Sequence, residues 1–409
     1  MNFPFVDLKA QYNAYKDEID GAIADVLGSS SFIGGAKLAE FEANLARYVG
    51  VKHAIGCSSG TSSLLLALLA LGVGDGDEII VPSFTFIATA EMVSLLKARP
   101  VFADINLTDY NIDISSVERL VTPRTKAIIA VSIFGQMPDL WALNEFCKSK
   151  NITLIEDGAQ SFGATHLVNA ATQGVSGTSQ NLANSTSQGA NLANFSSQSA
   201  ANTAAQSAKN SNGGGLLKKS CSIATISCTS FFPSKPLGAY GDAGAVFTDD
   251  DALAQKIRIF LNHGQTERYK HKFIGINGRL DSIQAAILGV KLRHLDDELT
   301  QRRRVAQIYD ESLKNAILPR VKANFTSVYA QYSVRVENRA ELVARLSAKG
   351  VPSAIHYPLG LHLQESFAKL GYKAGSLPNT ELVSSQILSL PMSAFLQKEQ
   401  QEQVIRAFE

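Results

Sequence analysis

Ser230-Phe231-Phe232-Pro233-Ser234-Lys235-Pro236-Leu237-Gly238 sets a single lysine among aromatic, small and hydroxyl residues. Pro233 and Pro236 forbid a helix through the segment. Gly238, Gly241 and Gly244 follow, so the chain turns closely around something. A lysine in such an apolar setting loses its proton more readily and can act as an amine nucleophile. Taken alone, the segment fits a solvated lysine in a surface turn equally well.

Two upstream stretches change that balance. Thr153-Leu154-Ile155-Glu156-Asp157-Gly158-Ala159-Gln160-Ser161 reads as a buried strand that ends in an acid and then a glutamine. Cys57-Ser58-Ser59-Gly60-Thr61-Ser62-Ser63 leads into an apolar helix, whose free first N–H groups and dipole favour a phosphate. A glycine-serine turn before a helix is common and weak by itself. Lysine, buried acid and phosphate cradle together match the needs of pyridoxal 5'-phosphate: an amine, a partner for the ring nitrogen and an anion site. Asp157 also has a purely structural reading, as the N-cap of a helix over 158–163.

Composition narrows the class. The 409 residues are 45% hydrophobic, enough for a large domain and a smaller one with substantial cores. A formal net charge of +1 argues against a broad nucleic-acid footprint. Cys57, Cys147, Cys221 and Cys228 form no C-x-x-C pair, so a metal or redox site is not expected. The N-terminal residues show no secretion signal, and no run is apolar enough to span a bilayer. A reducing cytoplasm is the expected location.

The order of elements is that of an α/β protein. Helices are expected over 8–28, 37–48 and 62–71, and strands over 51–56, 77–82, 100–104, 127–131 and 153–157. Their alternation predicts a mostly parallel sheet covered on both faces, with ligands at the carboxyl ends of the strands, where Asp157 and Gln160 fall. A strand over 221–228 leads to Ser230 and Lys235, and Gly244 to Thr248 is another. One long helix or two is expected over 281–315. The tail combines a strand over 329–336, a strand-like 351–355 and helices over 340–349 and 380–389. The division expected is 1–260 for a large cofactor-binding domain and 261–409 for a smaller α+β domain with an interdomain helix.

With these residues in place, the chain resembles the DegT/DnrJ/EryC1/StrS sugar aminotransferases, of fold type I. The likeness covers nearly the whole chain and is strongest to bacterial enzymes that aminate a UDP-linked 3-oxo-hexuronic acid for surface polysaccharide such as O-antigen. It implies that Lys235 carries the cofactor, that Gly60, Thr61 and Ser230 bind its phosphate, and that Phe86 stacks on its ring. Asp157 would face the ring nitrogen and Gln160 the phenolic oxygen. Phe84 and Phe86 each have a core reading as well. The loop containing Ile33 would lie near the sugar. The Asn277-Gly278-Arg279 segment would cross to the neighbouring subunit, Asn277 reaching the phosphate and Arg279 clamping a carboxylate bidentately. Arg279 also has a structural reading, as an ion pair with Asp281 or another acid. His356 and Tyr357 would stand at the substrate mouth.

The partners so implied are a UDP-sugar, glutamate as amino donor giving 2-oxoglutarate, and a second copy of the chain in a homodimer with shared active sites. The runner-up is amination at position 4 of a UDP-4-keto-6-deoxy sugar. Deoxygenating dehydratases of the same family carry histidine in place of the lysine, which Lys235 opposes. A non-enzymatic scaffold would not need Lys235, Asp157 and Gln160 together.

Residues 167–217 break the pattern. They are rich in Asn, Ser, Gln, Ala, Thr and Gly, uncharged between His166 and Lys209, with an imperfect ten-residue repeat around Asn181-Leu182-Ala183-Asn184 and Asn191-Leu192-Ala193-Asn194. Such a composition cannot bury a core of its own, and the stretch reads as a mobile surface loop, with a short ordered stack of repeats as the alternative; the resemblance implies a short hairpin here, from whose tip the insertion would leave.

Overall fold

The computed structural model describes residues 3–169 and 215–409. Among the described residues, nine strands arise in order as far as Thr248: β1 (His53–Cys57), β2 (Glu78–Pro82), β3 (Arg99–Ala103), β4 (Thr125–Val131), β5 (Thr153–Asp157), β6 (Thr165–Asn169), β7 (Gly215–Lys219), β8 (Ile226–Ser230) and β9 (Gly244–Thr248). Seven of them form one sheet in the order β1-β9-β8-β5-β4-β2-β3. Only β9 runs against the others. This is the mostly parallel sheet expected of fold type I.

Strand periodicity builds two cores from one sheet. Ile128, Ala130, Leu154 and Phe247 point to the face covered by helices Gly35–Val49 and Leu140–Lys150. Ile129, Ile155 and Val246 point to the opposite face, under helices Gly60–Ala70, Ala88–Leu95 and Asp251–Phe260. Burial on both faces explains why these strands read as continuous apolar runs rather than alternating ones.

A 31-residue helix, Ser282–Ser312, spans roughly 46 Å. Its Ala285, Leu288, Leu295 and Leu299 belong to a sheet core, while Val305, Ala306 and Tyr309 belong to a third core. That third core also holds the antiparallel pair Tyr332–Arg335 and Ile387–Leu390, and helices Arg339–Ala348 and Lys398–Phe408. The C-terminal part then folds back on the sheet: Thr380 donates to Asp104 Oδ1 at 2.8 Å, and Ser83 bonds His362 Nδ1 at 2.7 Å.

Several elements differ from their expected bounds. The first helix is two, Leu8–Ala14 and Lys16–Ser29, broken at Tyr15, whose ring stacks on His294 with centroids 4.1 Å apart. Residues 158–163 form a turn, not a helix. Residues 387–389 leave the helix Pro378–Gln386 to enter a strand. Within 351–355 only Ala354 pairs, with Ser389. The inserted segment is entered and left through an antiparallel hairpin, with Leu167 opposite Leu217 and Asn169 opposite Gly215, so 167–169 and 215–217 belong to strands. The expected mobile loop otherwise lies outside the described residues.

Candidate active site

Parallel strands place their carboxyl ends on one edge, and the elements that leave this edge enclose a cavity of about 380 Å³. Gly60, Thr61, Phe86, Asp157, Gln160, Ser230, Lys235, His356 and Tyr357 all line it. The sheet and the C-terminal part of the chain therefore meet over the lysine.

Lys235 sits in a tight turn. Its own N–H donates to the Phe232 carbonyl at 2.9 Å, and the Ala239 N–H closes the loop on the Phe231 carbonyl at 2.7 Å. Gly238 makes that closure possible, since a Cβ there would lie 2.3 Å from the Pro233 carbonyl oxygen. Burial pushes the Lys235 amine below the ordinary lysine range, and the Asp157 carboxylate pulls back in the other direction. The result is an amine that sheds its proton more easily than a surface lysine does.

Asp157 ends β5 and is 7% exposed. Its Oδ2 accepts from Thr89 Oγ1 at 2.9 Å, and its Oδ1 from the Ala159 N–H at 3.2 Å. Two such bonds offset only part of the cost of burying a carboxylate. Burial therefore raises its affinity for a proton above the usual carboxylate range, against the pull of Thr89, Ala159 and Lys235. A carboxylate in this state favours a cationic N–H facing it from the cavity. Gln160 is fixed at both ends of its amide. Oε1 accepts from the Phe134 N–H at 2.7 Å and Nε2 donates to Tyr357 Oη at 3.3 Å.

The helix Gly60–Ala70 begins at the cavity wall. Ser59 caps it, accepting from the Ser62 N–H at 3.0 Å, and the Ser63 N–H bonds the Ser59 carbonyl. The amides of Gly60 and Thr61 precede the first intrahelical bonds and are free to hold an anion. Gly60 must be glycine for the helix to start so close to Ser230, because a Cβ would lie 2.6 Å from that of Ser230. The two aromatics after β2 separate clearly. Phe84 is 1% exposed and packs with Tyr110 and Phe134, whereas Phe86 is 56% exposed beside Tyr357. His356 bonds Ser389 Oγ through Nδ1 at 3.0 Å, and burial, with the Lys235 charge, lowers its affinity for a proton.

Ile33, Asn277 and Arg279 do not line this cavity. They form a patch beside it. Ile33 pairs with Asp281, the Ser282 N–H bonds the Phe32 carbonyl, and the Ser58 N–H bonds the Gly278 carbonyl next to the helix start. Arg279 donates to Asn262 Oδ1 at 2.7 Å, and its buried Nε has no hydrogen-bond partner. An ion pair with Asp281 is not present among the described residues.

Sequence reading passed over Thr89, Ser59, Ser234, Asp242 and Gln331, which also face the cavity. Thr89 is adjacent to Asp157 only through the sheet order, which sets β5 near the helix after β2. Glu156, wholly buried, was equally silent. It accepts from Ser132 Oγ, Ser220 Oγ and the Cys221 N–H at 2.9, 2.7 and 2.8 Å, on the side of β5 away from Asp157.

This arrangement agrees with what the whole chain is similar to. The model of the DegT/DnrJ/EryC1/StrS aminotransferase family matches residues 13–183 and 187–409. The chain is 43% identical to the UDP-2-acetamido-2-deoxy-3-oxo-D-glucuronate aminotransferase of Pseudomonas aeruginosa, over 96% of this chain and 95% of that one. A crystal structure of a DegT DnrJ EryC1 StrS aminotransferase from Brucella abortus superposes with a TM-score of 0.84 at 35% identity, over 99% and 98% of the two chains. NtdA from Bacillus subtilis, solved with bound cofactor PMP, superposes with a TM-score of 0.81 at 26% identity, over 100% of this chain and 84% of that one. The chain belongs to the DegT/DnrJ/EryC1/StrS aminotransferase family.

Proposed function

We propose that the enzyme moves an amino group from glutamate to a UDP-linked 3-oxo-hexuronic acid, UDP-2-acetamido-2-deoxy-3-oxo-glucuronate, using pyridoxal 5'-phosphate. The observation that carries the reaction class is the meeting of the Lys235 amine, the Asp157 carboxylate and the Gly60 helix start in one cavity. The residues fit the cofactor. The free amides at Gly60 and Thr61 and the Ser230 hydroxyl suit a phosphate, the raised Asp157 carboxyl suits a protonated ring nitrogen, and Phe86 offers an open ring face. When bound, the cofactor supplies an electron sink at the carbon whose proton is moved.

The chain's own residues do the rest. Asp157 would keep the ring nitrogen protonated, and Thr89 and the Ala159 N–H hold its carboxylate in place. Gln160, pinned by Phe134 and Tyr357, would present its amide to the phenolic oxygen. Lys235 would hold the cofactor through its amine and would move the proton as general base and acid at the donor carbon. Its lowered proton affinity, set by burial against the pull of Asp157, suits both roles.

The sugar rests on the Pseudomonas aeruginosa relative, whose name describes amination of a 3-oxo-glucuronate. His356 and Tyr357 line the cavity where the sugar would enter. Arg279 would take the hexuronate or donor carboxylate, Asn277 the cofactor phosphate, and Ile33 the sugar, all from a second copy of the chain. Support for a homodimer comes from exposed apolar side chains around this patch: Phe32, Ile33, Phe232 and, at 93% exposure, Ile274. In this reading residues 1–260 carry the cofactor and 261–409 close over it, and the product serves cytoplasmic assembly of O-antigen precursors. Among the described residues, no helix is long and apolar enough to cross a membrane. Incubating the enzyme with glutamate and either the UDP-3-oxo-hexuronate or a UDP-4-keto-6-deoxy sugar, with mass analysis of the product, tests the choice. Amination of the first supports the reading, and amination of the second alone rejects it.

A further inference from the structure

The long helix Ser282–Ser312 carries charged side chains on its buried face. Lys291, Glu298 and Arg302 are 2%, 5% and 3% exposed. They follow at helical spacing on the face that bears Leu288 and Leu295. Lys291 Nζ donates to the carbonyl oxygen of Gly238, three residues past Lys235. Gln284, two turns earlier, takes both backbone groups of Tyr240, accepting from its N–H at 2.8 Å and donating to its carbonyl at 3.2 Å. The helix thus grips the far side of the turn that presents Lys235.

We propose that Lys291 is a positioning residue for Lys235, its charged amine fixing the Gly238 carbonyl and with it the turn 231–239. The proposal rests on the reading of Lys235 as the cofactor-bearing amine. The Gly238 carbonyl belongs to the closed turn itself: the next residue's N–H bonds the Phe231 carbonyl at 2.7 Å, and the backbone at Gly238 packs so near Pro233 that a Cβ would lie 2.3 Å from its carbonyl oxygen. The groups facing Lys291 are the Tyr240 ring, 5.1 Å from Nζ, and on its own helix Glu298 and Arg302. Gln11 and Tyr15 of the N-terminal segment hold Glu298, and the Tyr12 ring packs on Tyr240. Burial, aided by Arg302 and opposed by Glu298, brings the Lys291 amine down to about 8. The charged grip therefore weakens as pH rises through that value.

Lys291→Met and Lys291→Arg separate positioning from mere support. The single-turnover rate with glutamate is followed against pH in the cofactor-loaded protein. Hydrogen exchange of the 231–239 turn is read in the protein with and without cofactor. The expected result for Lys291→Met is an unchanged cofactor absorbance, a rate lower by at least about tenfold, loss of the wild-type decline above about pH 8, and faster exchange at Lys235 and Ala239 at an undiminished melting temperature. Lys291→Arg, charged throughout, moves that decline to higher pH, and it decides the matter if the methionine variant does not fold. Wild-type rate, profile and exchange in Lys291→Met would overturn the proposal while leaving Lys235 in its role. A wild-type protein that does not react with glutamate at all would instead reject the proposed function.

Discussion

Thr89 Oγ1 donates to Asp157 Oδ2 across 2.9 Å, joining the helix after β2 to the end of β5. That bond supports the ionised form of a carboxyl group that burial drives toward protonation. Thr89→Val keeps the side-chain shape and removes the donor. The expected result is turnover reduced about tenfold to a hundredfold, the cost of losing a hydrogen bond to a charged group of roughly 1.5–3 kcal/mol. An acidic limb shifted to higher pH should accompany it, because Asp157 then gains a proton more easily. Steady-state rates between pH 5 and pH 8 check it, and wild-type rates with an unmoved limb would contradict it.

Asp157→Asn separates stability from function. A carboxyl whose proton affinity is raised on folding costs the folded state stability above its folded pKa, and that cost disappears as pH falls below the unfolded pKa. Without cofactor, the asparagine variant should therefore melt no lower than wild type at neutral pH. Any advantage should vanish in acid. Its amination activity should fall by at least about a hundredfold, since an amide does not keep the ring nitrogen protonated. Calorimetry of the cofactor-free protein at two pH values and a rate assay give both readings.

Lys291 obeys the opposite sign. An ammonium whose folded pKa is lowered to about 8 costs stability below that value, and the cost is relieved as pH rises from there toward the unfolded lysine pKa. The cost is on the order of 3 kcal/mol at neutral pH. Lys291→Met should gain melting temperature over wild type at neutral pH, and the gain should shrink by pH 10. A destabilised variant at every pH would show that packing outweighs the buried charge.

Phe84 and Phe86 lie two residues apart with opposite surroundings. Phe84→Ala empties a core site and should cost about 3–5 kcal/mol in denaturant unfolding. Phe86→Ala should leave unfolding nearly unchanged and weaken cofactor binding. Equal effects of the two substitutions would remove Phe86 from the cavity wall.

The proposed sharing of active sites between two copies has a stoichiometric signature. Lys235→Ala and Asn277→Ala should each be nearly inactive as separate preparations. Subunit exchange between them makes half of the dimers mixed, and each mixed dimer has one intact site, so about a quarter of wild-type activity should return. No recovery after verified exchange would place Asn277 in the same site as its own Lys235.

Much of the fold was legible because strands buried on both faces, such as Ile128-Ile129-Ala130, leave unmistakable apolar runs between helical patterns. Boundaries failed where tertiary contact overrides local pattern. The helix break at Tyr15 is local, yet the stack on His294 that occupies its ring is not. Residues 387–389 become strand because Tyr332–Arg335 lies beside them. Within the site, Asp157 and Gln160 were visible at the end of an apolar strand, and Lys235 as a single lysine in a proline-flanked turn among aromatic and hydroxyl residues. Thr89, Glu156 and Lys291 were not, because their meaning depends on what the sheet order and the long helix set against them. Lys291 and Glu298 leave one trace in the sequence, charges at positions where an amphipathic helix should be apolar.

The most direct test of the central claim is the absorbance spectrum of the purified protein with added pyridoxal 5'-phosphate, recorded before glutamate, after it, and after the UDP-3-oxo-hexuronate. The account predicts the band of lysine-bound cofactor, its bleaching by glutamate and its return with the keto sugar, with no such band in Lys235→Ala. A band that persists in Lys235→Ala, or a wild-type protein that shows none, would contradict it.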